Sequence, residues 1–240
     1  MNKTGRLILI PSFLAEDNSV AHFPNSTLEQ IISLDSFIVE RSKTARRFLR
    51  AIGFDKDFES VQLQELDKHS RDDVDALLKP CLQGIDVGLI SEAGVPGVAD
   101  PGGLIIRAAQ AKRIKVVPLI GGSSILLALM ASGMNGQHFE FHGYLPRNEQ
   151  ELAKSLKMLE AKSIQDGCTQ IFIETPYRND RMMESLKKYL HPNTDVCIAS
   201  NITASDELII TKTISEWRKT NTLIGKKPTV FLLYSGKLES

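Results

Sequence analysis

Residues 91–101, SEAGVPGVADP, set two acids, two glycines and two prolines into one short stretch. Gly94 and Gly97 have no Cβ, so backbone there can lie directly against a ligand. Pro96 and Pro101 stiffen the segment. The preceding run 87–90, VGLI, reads as a buried strand of a parallel sheet. In an open α/β sheet, a loop leaving the carboxyl end of a strand is where ligands bind. The plainer alternative is a strand-to-helix connection in which Asp100 caps a helix over 102–112. Two further groups carry chemical potential. Lys43, Arg46, Arg47 and Arg50 recur at i, i+3, i+4 and i+7, which places them on one helix face. That face is either an ordinary solvated surface or a patch for phosphates. Ser123 and Ser124 follow Gly121-Gly122 and can cap a helix whose exposed amides would suit a carboxylate or hydroxyl. A hydroxyl substrate would need a proton acceptor. Glu16, Asp17, Glu40 and Glu92 are the candidates near predicted loops, and none stands out, so the catalytic base stays unassigned.

Other chemistries lack residues. Cys81, Cys168 and Cys197 are far apart and without metal-ligand spacing, so no metal site is expected, and they read as reduced, buried thiols of a cytoplasmic protein. There is no Walker-type phosphate loop, no G-x-G-x-x-G after the first strand and no G-x-S-x-G elbow. His69 reads as a polar loop residue. With 29 basic and 29 acidic residues the formal net charge is zero. Whole-surface attraction to nucleic acid is thereby excluded, and any RNA contact must be a local patch. No apolar run is long enough to span a membrane and no secretory signal opens the chain.

The positioning elements follow from periodicity. Strands are expected at 6–11, 36–40, 61–65, 87–90 and 114–119, with helices between them at 26–32 (Ser26 as N-cap, Glu29 at the capping-box position, Leu28, Ile31 and Ile32 inward), 43–52 (stopped by Gly53), 71–82 and 102–112. In the 43–52 helix, Ala45, Phe48, Leu49 and Ile52 form the core-facing stripe. Alternating β and α over 240 residues implies an α/β protein with a mainly parallel first sheet. After helix 123–132, strands at 139–144, 169–174, 195–200, 207–213 and 228–234 and helices at 149–162 and 180–190 follow. Consecutive strands without helices imply a mixed second sheet with antiparallel edges. The expected domains are 1–119 and 120–240.

The stretch GLISEAGVPGVADPGG resembles the signature (V/I)SDAGTPxxSDPG of the tetrapyrrole methylase-like superfamily, with Glu92 for Asp, Val95 for Thr and Ala99 for Ser. PLIGGSSILLALMASGM, FHGYLPR and IFIETPYR resemble PLPGPSAxxxALxxSGL, FxGFLPR and IFYESPHR of the same superfamily, in the same order. The match is closest to its small-subunit ribosomal RNA 2′-O-ribose methyltransferase I branch. Two departures are plain. The first loop, IPSFLAEDN, keeps Pro11 and Leu14 but not the Gly-Asn of TPIGNL. VERSKTA stands where that branch has AEDTRHT, so Arg41 replaces an acid.

The resemblance implies two α/β domains with an S-adenosylmethionine cleft between them and a homodimeric assembly. It implies cofactor contacts from Pro11, Gly94, Val95, Pro96, Val98, Ser123, Ser124, Glu174, Thr175, Ala199, Asn201, Pro228 and Thr229. Glu174 and Arg178 read as a structural or cofactor-shaping pair. The implied activity is 2′-O-methylation of a ribose in small-subunit ribosomal RNA, with Lys43, Arg46, Arg47 and Arg50 taking RNA phosphates. The alternatives are another RNA or a small molecule as acceptor, or a module that binds S-adenosylmethionine without catalysis.

Overall fold

In a computed structural model, residues 4–15, 20–66 and 73–236 are described. Glu16, Asp17 and His69 lie outside them. The chain forms two compact units, Met1–Ser123 and Ser124–Ser240.

The first unit is built on a five-stranded sheet in the order β3-β2-β4-β1-β5. Its strands are β1 (Arg6–Ile10), β2 (Ser36–Val39), β3 (Gln62–Glu65), β4 (Val87–Ile90) and β5 (Lys115–Pro118). Every pairing is parallel. Parallel strands are covered on both faces, which is why β1 and β4 are apolar runs without polar alternation. On one face, Ile8 and Ile10 pack with Ile31 of α1 (Asn25–Ile32) and Phe48 and Leu49 of α2 (Ser42–Ala51). On the other, Leu7 and Leu89 pack with Leu77 of α3 (Asp73–Leu77), Cys81 of α4 (Lys79–Leu82) and Ile105 of α5 (Gly103–Ala111).

Two local expectations fail here. Ser26 does not cap α1: the N-cap position lies two residues earlier, at Pro24 (φ −59°, ψ 142°), and there is no side-chain cap. A proline before the first turn already presets the entry, and Thr27 sends its hydroxyl to the Ile120 carbonyl instead, 3.1 Å away. The single helix over 71–82 is broken at Leu78 into α3 and α4. Pro80 has no N–H to give the turn before it and its ring crowds the carbonyl four residues back. Leu82 is 46% exposed after the break.

The second unit contains β6 (Phe139–Tyr144), β7 (Thr169–Glu174), β8 (Asp195–Ser200), β9 (Leu208–Thr213) and β10 (Thr229–Tyr234), in the order β6-β7-β10-β8-β9. The sheet is mixed as expected and its β9 edge is antiparallel, but the other edge differs: β6 pairs with β7 in parallel, while the antiparallel pairings run through the centre to β9. The reason is α7 (Glu149–Asp166), a long crossover between β6 and β7 that returns the chain in the same direction. α7 runs one turn beyond the expected 162 and ends where Gly167 turns left-handed. α7, α8 (Asn179–Tyr189) and α9 (Ile214–Trp217) bury Leu156, Leu186 and Trp217 against Phe172 and Phe231. Those two rings are cross-strand neighbours stacked 5.5 Å apart. α6 (Ser124–Ser132) packs on β8, β9 and β10. α9 was not anticipated, although Thr213 and Glu216 form a full capping box there.

Cys81, Cys168 and Cys197 are free and buried, and burial pushes the Cys81 thiol up to about 11. Among the described residues no helix is long and apolar enough to cross a membrane, and no His, Cys, Asp and Glu gather into a metal-binding group.

Candidate functional site

In the first unit all five strands end on the same edge of the sheet. β1 and β4 are neighbours whose connections diverge. The chain leaving β1 goes to α1 on one face, and the chain leaving β4 goes to α5 on the other. That is a topological switch point, where an open parallel sheet has its crevice.

The two loops at this point are tied together. Ser12 N donates to Gly94 O at 2.7 Å, and the buried Ser12 hydroxyl donates to Ser91 O at 2.7 Å. Gly94 needs its left-handed backbone, φ +72°. Asp100 organises the far half of the loop by accepting from Gly97 N at 3.0 Å and Gly102 N at 2.7 Å. It thus caps the turn, while α5 itself has no side-chain cap. Burial raises the Asp100 carboxyl above its ordinary value, and the neighbouring Glu40 adds to the rise. Glu40 also accepts from Glu92 N at 3.3 Å. Gly121, in the loop after β5, lies so near the Pro11 ring that a Cβ there would fall 2.3 Å from Pro11 Cβ and Cγ. Pro11, Gly94, Val95, Pro96, Val98 and Ser123 therefore sit on three loops of one sheet edge, with Glu40 and Glu92 beside them. Ser12 and Ser91, the residues that stitch this edge, were missed by sequence reasoning; serine in a loop carries no distinctive signal.

The altered first loop has a packing role. Phe13 sits edge-on to Phe23 and Phe48, with ring centres 5.5 and 5.2 Å away. On α2, all four basic residues face solvent, as the spacing implies. Two are partly committed: Arg46 and Arg50 lie 5.4 and 4.3 Å from the Phe58 ring centre, and Arg50 donates to Phe54 O at 2.5 Å. Lys43 and Arg47 complete the face.

In the second unit, the residues singled out gather at one end of the sheet. Thr229 opens β10 opposite both Glu174, the last residue of β7, and Ser200, the last of β8. Asn201 N donates to Pro228 O at 2.8 Å, and Asn201 itself turns left-handed, φ 51°. Ala199 is fully buried, paired with Val230 of β10 on one side and Ile209 of β9 on the other. Glu174 is buried. Its Oε1 accepts from Thr175 N at 2.7 Å, and its Oε2 faces Arg178 Nη2 at 3.2 Å, the pairing anticipated from sequence. Asn179 is the organiser that sequence reasoning overlooked. Fully buried, it donates from Nδ2 toward Lys227 O at 2.7 Å, Gly225 O at 3.0 Å and Thr229 Oγ1 at 3.2 Å. Its Oδ1 has no hydrogen-bond partner.

The family model of the tetrapyrrole (corrin/porphyrin) methylases matches residues 28–217. The chain is 29% identical over 182 residues to the ribosomal RNA small subunit methyltransferase I of Vibrio cholerae, covering 76% of this chain and 60% of that protein. It is 26% identical over 243 residues to the protein of that name from Pasteurella multocida, covering 99% of this chain and 82% of the relative. The chain thus spans about 60% of the length of the first curated relatives it matches. Among solved structures, the methyltransferase CobJ superposes with a TM-score of 0.61 at 17% identity, covering 97% of this chain and 95% of that one. Diphthine synthase does so with 0.63 at 14%, covering 96% and 90%. At such identities the superpositions establish the fold. The family-model match, which takes in the loop 91–101 and the ends of β4, β7 and β8, makes this chain a member of the tetrapyrrole (corrin/porphyrin) methylase family.

Proposed function

We propose that this protein is an S-adenosylmethionine-dependent methyltransferase that 2′-O-methylates a ribose in small-subunit ribosomal RNA. The observation that carries the reading is the loop 91–101, which bears the family signature and leaves β4 at the switch point. The residues fit the cofactor: Gly94 and Gly121 stand where backbone must pass closely, and the second unit holds a buried acceptor, Asn179 Oδ1, without a partner. The cofactor supplies a methyl group already activated by its sulfonium, so the protein's task is alignment. Gly94, Val95, Pro96 and Val98, with Pro11, Ser123 and Ser124, present backbone and small side chains. In the second unit, Glu174, Thr175, Ala199, Asn201, Pro228 and Thr229 are the proposed cofactor contacts. Lys43, Arg46, Arg47 and Arg50 position RNA phosphates, which fix register without reading sequence. We further take the two units as the protein's domains and the working form as a cytoplasmic homodimer.

The relatives' names support the ribosomal acceptor. Deleting the gene and mapping ribose methylation across ribosomal RNA by mass spectrometry tests it. One position should lose its methyl group, and labelled methyl from S-adenosylmethionine should enter undermethylated small subunits. An unchanged map together with no transfer in vitro removes the ribosomal assignment. A non-catalytic module is the second reading, favoured by the first loop's use of Phe13 for core packing. Transfer of label rejects it. No heat in calorimetry with S-adenosylmethionine or S-adenosylhomocysteine rejects both.

A further inference from the structure

The second unit carries an open cavity of about 530 Å³ between the end of α8 and the segment following α9, lined by none of the residues singled out above. Its charged lining is Lys187, Lys188, Arg218 and Lys219 against a single acid, Glu184. Thr220 and Asn221 supply the remainder, so the wall holds no aromatic or aliphatic side chain. In a protein whose formal charge is zero, this is a concentrated excess of positive charge.

The cations are arranged rather than scattered. Lys187 spends its charge on Glu184, 3.0 Å away. Arg218 donates from Nε to Lys187 O at 2.9 Å and from Nη2 to Leu190 O at 3.1 Å. Those carbonyls close the last turn of α8, and being neutral they lock the guanidinium in place without cancelling its charge. Lys188 lies 3.5 Å from Glu149 Oε1, but both side chains are well exposed and Glu149 also holds Arg181 and Tyr189. An exposed pair of that kind is worth little and exchanges readily. Lys219 adds a fourth cation to the lining. A wall with cations, a hydroxyl and an amide but no aromatic or aliphatic side chain suits an anion held from one side, and offers a nucleobase no ring to stack on.

We propose that this cavity is an RNA-backbone phosphate site, a second contact that orients the RNA independently of α2. The inference rests on the proposed RNA methyltransferase reading, and its test separates the two. RNA affinity is measured by fluorescence anisotropy with a fragment of unmethylated small-subunit ribosomal RNA between about 50 and 200 mM salt, a range over which phosphate contacts dominate the change. The protein is compared with Lys188→Glu/Lys219→Glu, and with Lys79→Glu/Lys115→Glu, an equal charge change at exposed positions of the first unit. S-adenosylmethionine affinity is measured in parallel. The cavity variant should bind RNA more weakly, with a log–log salt slope shallower by about 1.4–1.8, the loss of two phosphate contacts. Its cofactor affinity and the control variant's RNA affinity should be unchanged. Unaltered RNA affinity and slope in the cavity variant would overturn the site and leave the RNA reading standing. Equal losses in both variants would assign the effect to bulk charge and overturn it as well. No salt-dependent RNA affinity in the unmodified protein would remove the RNA reading and this site together. Binding of polyglutamate in place of RNA would give the cavity to an acidic protein surface and overturn the proposal.

Discussion

Replacing Gly121 with alanine tests whether the strand-end loops of the first unit form one unit of packing. The added Cβ would stand 2.3 Å from both Pro11 Cβ and Cγ, against 3.4–4 Å for ordinary contact, so one loop must recede by about 1 Å. The obstacle is a rigid ring. Its neighbour Ser12 is held by bonds to Gly94 O and Ser91 O, so the strain passes from the β5 loop through the β1 loop to the β4 loop. Overpacking of this kind costs about 1–3 kcal/mol. Gly103→Ala is the control: a Cβ there meets nothing within 4 Å, at the first residue of α5. It should stabilise by about 0.4–1 kcal/mol, because alanine loses less backbone freedom on folding. Urea titration reads both. If the loops hold the cofactor as proposed, methyl transfer should fall about a hundredfold in Gly121→Ala, since a displacement near 1 Å is enough to spoil alignment. A stability within 0.5 kcal/mol of the unmodified protein would refute the packing argument. A destabilised variant with full transfer activity would show that these loops do not serve the reaction.

Three other perturbations have defined outcomes. Asp100→Asn keeps an oxygen for the Gly97 and Gly102 amides but cannot ionise. Because burial and Glu40 raise the folded carboxyl above 3.8, the unmodified protein's Asp100 contribution is fully present below that pH and declines as pH rises through the raised value. The variant should gain relative stability over that rise and none near pH 3; a pH-independent difference in urea midpoints contradicts this. Arg178→Leu leaves the Glu174 carboxylate buried without its cation and should cost about 3 kcal/mol, largely recovered when Glu174→Gln is added; equal losses in single and double variants would rule out the pair. Lys43→Glu/Arg47→Glu should weaken RNA binding with thermal stability unchanged, whereas Arg50→Glu should also lower stability by breaking its bond to Phe54 O; RNA affinity unaffected by the first pair would make the α2 face a plain solvated surface.

Strands were the most legible elements, for a physical reason. A strand of a parallel sheet covered on both faces reads as an apolar run, so β1 and β4 show in the sequence almost residue for residue. Helix limits were less legible, because caps and breaks depend on one backbone group. Ser26 lost the N-cap position to Pro24, and Pro80 split a periodic run that was apolar enough to look continuous. The antiparallel β9 edge came out as expected, but the parallel β6 edge did not, since that pairing is set by how far α7 carries the chain before β7.

For the site, resemblance and geometry divide the work. The loop 91–101 was visible because glycines and prolines at fixed spacing are rare outside strained turns, and Gly94 and Gly97 do take positive φ. Ala99 takes φ 56° as well, a conformation for which its side chain gives no hint. The polar residues that fix the candidate pocket walls were invisible for the opposite reason. Ser12, Ser91 and Asn179 act through backbone carbonyls and amides, and a hydrogen bond to backbone leaves no complementary residue elsewhere in the chain to be noticed. Glu174 and Arg178 were noticed because both partners are charged side chains four residues apart. The same contrast applies to the two basic surfaces. Lys43, Arg46, Arg47 and Arg50 announce themselves by helical spacing, whereas Lys188, Arg218 and Lys219 meet only after α8 and α9 pack together. Charge that is periodic in sequence is often satisfied locally, as Arg46 and Arg50 are by Phe58. Charge assembled by tertiary packing has paid a repulsive cost to come together, and a binding partner carrying phosphates would relieve it.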